Sequence, residues 1–125
     1  MSNTTYLGTV TRETRPFNLD VSKLRRANAK VTTAKAYKAG DLLTLSEANV
    51  VDHALDEKTW TVVCGQDVTA AQATKMASDG VEIPIYFGGV FNIEAICLAG
   101  VYLDPTKYDA ARAKATLNHI EFSKV

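Results

Sequence analysis

Residues 81–96 read Val81-Glu82-Ile83-Pro84-Ile85-Tyr86-Phe87-Gly88-Gly89-Val90-Phe91-Asn92-Ile93-Glu94-Ala95-Ile96. The two flanks, 81–87 and 90–96, carry the β-branched and aromatic residues that suit a pleated, half-buried surface. Gly88-Gly89 between them suits a two-residue primed turn, because glycine enters positive φ without a side-chain clash. The stretch is expected to form a β-hairpin. Pro84 lacks an amide proton, so its amide side is expected to face a sheet edge or a bulge.

Strand signals continue on the N-terminal side. Lys38-Ala39-Gly40-Asp41 reads as a turn, Leu42-Leu43-Thr44-Leu45 as a short strand, and Asn49-Val50-Val51-Asp52-His53 as its returning partner. Thr59-Trp60-Thr61-Val62-Val63-Cys64 reads as a buried strand. Thr69-Ala70-Ala71-Gln72 has the spacing of a capping box and opens an alanine-rich stretch, which gives either one or two helical turns before Asp79-Gly80 or an exposed loop. On the C-terminal side, Asp104-Pro105 supplies an N-cap and a proline at the first helical position. The short helix that follows is expected to turn Tyr108, Ala111, Ala115 and Leu117 inward and to stop at Asn118-His119. Ile120-Glu121-Phe122 then alternates like a closing strand. The fold class expected is mainly β, a β-rich α+β body with a short C-terminal helix.

The chain of 125 residues, 46% hydrophobic and 22% charged, has the size of one domain with one core. Such a domain buries roughly two-thirds of its unfolded surface, so it needs no disulfide or structural metal. Cys64 and Cys97 sit in apolar runs without a CxxC pair or a nearby histidine, and read as small core residues or as one bridge. A reducing cytoplasm is the expected site of synthesis. No basic-then-apolar leader opens the sequence, and no apolar run reaches the about 18 residues that span a bilayer, so no membrane role is expected.

Net charge is zero, but its sign is segregated. Residues 1–40 hold eight Lys and Arg against Glu13 and Asp20, and the remainder carries the compensating acidic excess. Thinly spread apolar residues make 1–35 read as an extended basic N-terminal arm, and 36–125 as the β-rich body. Arg15 before Pro16 is biased to extended geometry, and 17–21 alternates like a strand. The competing reading is a disordered tail with a short helix over 21–29. A basic arm on an acidic body implies an acidic partner, either protein or nucleic acid.

Enzyme chemistry lacks its parts, since no GxSxG, GxxxxGK[ST], GxGxxG or HExxH pattern occurs. His53 and His119 each end an expected element and read as surface residues, and acids such as Asp52, Asp56 and Glu57 lie in polar turns. No enzyme activity, catalytic residue, cofactor or metal is expected. Nucleic-acid binding is disfavoured, because no aromatic platform interleaves the arm's cations and the acidic body would repel a duplex.

Taken in order, the basic arm, Lys38-Ala39-Gly40-Asp41-Leu42-Leu43, Val62-Val63-Cys64-Gly65-Gln66-Asp67-Val68, Tyr86-Phe87-Gly88-Gly89-Val90-Phe91-Asn92 and the C-terminal helix resemble the lambda-type bacteriophage head decoration proteins. The resemblance spans residues 36–122. Residues 70–78 exceed that family's usual loop, and the arm matches none of its motifs. The resemblance implies a small β-barrel or β-tadpole-like body with a mobile N-terminal segment. It further implies a structural virion protein, a homotrimer at threefold and quasi-threefold sites outside the expanded capsid. There it would stabilise the shell against internal DNA pressure, with the major capsid protein as its partner. On that reading Phe17, Leu19 and Val21 are expected to anchor an added strand on the capsid, while Arg12, Arg15, Arg25 and Arg26 pair with capsid carboxylates. The alternative is a small β-barrel nucleic-acid-binding or regulatory module that uses the basic arm.

Overall fold

In the computed structural model, which describes residues 16–124, the segment expected to turn back on itself runs straight through. Glu82–Asn92 is one eleven-residue strand, and Gly88-Gly89 lies inside it. The eight strands are β1 (Arg25–Val31), β2 (Leu42–Leu45), β3 (Val50–His53), β4 (Val62–Cys64), β5 (Glu82–Asn92), β6 (Cys97–Leu98), β7 (Val101–Tyr102) and β8 (Ile120–Ser123). The helices are α1 (Ala70–Asp79) and α2 (Tyr108–Leu117). The fold is a β-rich α+β domain.

The pairing closes a ring. β1 lies parallel to β3 and antiparallel to β5, β3 pairs with β2, β2 with β4, and β4 with β5, so five strands form a barrel without a free edge. The far half of β5 leaves this ring and pairs in parallel with β8, from Gly89 opposite Ile120 to Asn92 opposite Ser123. β5 therefore serves two cores. Ala29, Val31, Leu43, Val51, Val62, Ile83 and Ile85 fill the barrel under α1. Trp60, Phe91, Ile93, Ile96, Phe122 and the α2 alanines form the second core.

The glycine pair makes the passage between these cores possible. A Cβ on Gly88 would stand 3.0 Å from the Arg25 side-chain carbons, which lie across the strand. On Gly89 a Cβ would stand 2.8 Å from Phe91 Cζ, and its φ of +145° is one that L residues rarely adopt. Glycine inside a strand marks close approach as readily as a turn, and here it is close approach. Pro84 behaves as expected of a residue without an N–H. β4 ends at Cys64 opposite Ile85, and beyond that end only the Pro84 carbonyl is used, by Gly65 N–H at 3.0 Å.

The boundary expected at residue 35 moves toward the N-terminus. Residues 25–31 are a barrel strand, because Ala29 and Val31 turn into the core while Arg26, Asn28 and Lys30 remain exposed. Small apolar residues set among cations hide this alternation in the sequence. A helix over 21–29 does not form either; only Val21–Lys23 makes a 3-10 turn before the strand begins.

Other local signals agree with the structure. β2 and β3 pair antiparallel as expected, and α1 carries the full capping box, with Thr69 Oγ1 accepting from Gln72 N–H at 3.1 Å and Gln72 Oε1 from Thr69 N–H at 2.9 Å. Two details differ. Trp60 precedes β4 rather than lying in it, although it is fully buried. Leu117 is 74% exposed, since at about 100° per residue it cannot share a face with Ala111 and Ala115.

Candidate functional site

The residues expected to contact the capsid separate into three groups. Arg12 and Arg15 lie outside the described residues. Phe17 and Leu19 are part of the body: Asn92 N–H donates to the Phe17 carbonyl and Leu19 N–H to the Val90 carbonyl, both at 2.9 Å. The Phe17 ring stacks 4.9 Å from Phe91 and lies 6.0 Å from Tyr86. The alternation at 17–21 does reflect extended, pairing backbone, but the partner is this chain's own β5, so Phe17 and Leu19 are not free anchors. Val21, by contrast, is 77% exposed. It sits in the 3-10 turn capped by Asp20, whose carboxyl is held below the usual range chiefly by the Ser22 hydroxyl at 2.6 Å.

Arg25 and Arg26 are exposed at the start of β1, where a bulge shifts the register against β5. The extra residue is Phe87 of β5, and the first four residues of β1, both arginines among them, are exposed. Arg26 Nη2 reaches Asn28 Oδ1 at 3.4 Å, and the Arg25 stem covers Gly88. Lys23 and Arg25 form one wall of an open groove of about 490 Å³ over the Gly88-Gly89 backbone, and His119, Ile120 and Glu121 form the other. The pinned strand, the capped turn and the two arginines thus form a continuous anchor directly after Pro16.

A second cluster is not legible from the sequence. Asp41 is 1% exposed, with Oδ2 accepting from Lys38 N–H and Oδ1 from Gly100 N–H, each at 2.8 Å. Its second bond crosses 59 residues to hold the tip of the β6–β7 hairpin, whose Ala99 and Gly100 both have positive φ. His53 Nε2 lies 4.0 Å from Asp41 Oδ2 and 2.7 Å from the Ala36 carbonyl, so that nitrogen carries the proton and donates. His53 is thereby committed to a structural bond. Asp41→Ala should cost about 1–3 kcal/mol, because the Lys38 and Gly100 N–H groups lose a charged, buried acceptor. Urea denaturation measures that cost, and faster exchange at the Gly100 amide would locate it in the hairpin.

Cys64 and Cys97 are buried thiols and form no disulfide. Burial pushes the Cys64 thiol up to about 12, which leaves essentially no reactive thiolate near neutral pH. Among the described residues no group of three His, Cys, Asp or Glu could hold a metal ion, and no helix is long and apolar enough to cross a membrane. A scan against protein-family models finds no match, and a search of curated proteins finds no relative.

Proposed function

We propose that the chain is a structural head decoration protein of a tailed bacteriophage, one that binds outside the expanded capsid as a trimer and stabilises it against DNA pressure. The observation that carries this reading is the anchor at Phe17. A segment pinned by two backbone bonds and an aromatic stack gives residues 1–15 a fixed point of departure beside exposed Arg25 and Arg26. A segment carrying Arg12 and Arg15, tethered to a rigid body, can add contacts on an acidic partner at little further entropic cost. Contact with the major capsid protein then falls to residues 2–15, with Arg12 and Arg15, and to Val21, Arg25 and Arg26. Phe17 and Leu19 transmit the load to β5.

Truncation tests this division of labour. Deleting residues 2–15 should leave a folded body that no longer sediments with expanded heads, and a truncated chain that still binds heads would contradict the arm's role. Extending the deletion through residue 19 should in addition lower stability, since it removes the ring that covers Phe91. Steeply salt-dependent retention on DNA without head binding would favour the nucleic-acid reading.

A further inference from the structure

α2 has a second apolar stripe that its own core does not use. Ala110, Ala113 and Leu117 recur at helical spacing on the side turned away from the buried Ala111 and Ala115. With Lys58 and Lys114 they line an open depression of about 280 Å³. Neither lysine is in an ion pair among the described residues. Over the other core, at the C-terminal end of α1, Met76 and the 45% exposed Val81 lie in a groove of about 350 Å³ with Asp67, Asp79 and Lys75. Lys75 reaches Asp79 at 3.2 Å, and Asp67 also accepts from Ala39 N–H. Asp79 stands in the last turn of α1, where the helix dipole disfavours a carboxylate.

We propose that these two surfaces bind each other between copies of this chain, with Leu117 of one copy seated over Met76 and Val81 of the next and Lys58 and Lys114 facing Asp67 and Asp79. Charge decides the type of contact. Pairing the α2 stripe with itself would oppose four lysines, whereas the groove sets two carboxylates against one lysine, so the surface fits a second copy heterologously. The groove and the stripe lie over different cores, as a head-to-tail contact requires. Such a contact closes into a ring or runs on as a filament, and closure at three copies rests on the proposed decoration role.

Sedimentation of the purified full chain across a dilution series, with folding checked by circular dichroism, tests the interface. Wild type should associate, Leu117→Ser should weaken association strongly, and Lys114→Glu or Asp79→Lys alone should weaken it about tenfold. The double charge swap should recover most of that loss, and Leu117→Cys with Val81→Cys should cross-link between chains. Monomers at every concentration, single reversals without effect, or a double swap no better than the singles would each overturn the proposal. Head binding by wild type separates the two readings. An ineffective swap with intact head binding removes the interface alone, whereas swap-sensitive rings that ignore heads remove the decoration role alone.

Discussion

Gly89→Asn is expected to destabilise the domain by about 2–5 kcal/mol, whereas Gly80→Asn should cost less than about 1 kcal/mol. Both glycines have positive φ, but their surroundings differ. Gly80 caps α1 at φ +69° with nothing within 4 Å of where a Cβ would stand, a conformation asparagine tolerates. Gly89 holds φ +145°, outside the left-handed helical region, and its Cβ would press on the fully buried Phe91. The loss is a large share of the roughly 5–15 kcal/mol that keeps such a domain folded. Were Gly88-Gly89 a primed turn, asparagine would be accepted at either position. Equal, small effects in urea denaturation would therefore sink the continuous β5.

Trp60→Ala should be the most damaging core substitution, at about 3–5 kcal/mol. The indole is fully buried, stacks 5.3 Å from Phe122 on β8, and donates from Nε1 to the Glu57 carbonyl at 3.0 Å. The Trp60 carbonyl accepts from Asn118 Nδ2 at 3.0 Å, which ties the end of α2 to the same point. Trp60 thus joins three pieces of the second core and is no part of the barrel core. Hydrogen exchange in the variant should rise first in α2 and β8, with β1 and β3 protected longer. Uniform loss of protection would mean that the two cores unfold as one unit. Trp60→Phe, which keeps most of the ring and loses the indole bond, should cost about 1–2 kcal/mol.

The elements legible in the sequence are those whose causes are local. The capping box at Thr69 and Gln72, the β2–β3 pair, the proline-led entry to α2 and the closing strand at Ile120 each carry their signal within a few residues. What escapes a sequence reading depends on distant chain. Gly88-Gly89 fits a turn and a close approach equally well, and the choice is made by Arg25, more than sixty residues earlier. β1 is concealed because Ala29 and Val31 are its only buried residues and cations dominate its outer face. Asp41 reads as a turn residue, yet its partner at Gly100 is set by the return of the β6–β7 hairpin.

The same limit applies to the candidate site. Alternation at 17–21 announces a strand without naming what it pairs with, and the pairing to β5 redirects Phe17 and Leu19 from a partner to the body. The exposure of Arg25 and Arg26 is readable from charge, but the register shift opposite them, at Phe87 of β5, is not. Among the described residues the site is a short anchored cationic surface at Lys23, Arg25 and Arg26, in place of the extended arm expected through residue 35.

Binding to heads before and after expansion tests the decoration role most directly. If the proposed role holds, purified protein mixed with heads of a tailed phage whose genome carries this gene should sediment saturably with expanded heads and leave unexpanded ones bare. Decorated heads should keep their DNA under heating that empties undecorated ones. Absence of saturable binding to expanded heads would contradict the account.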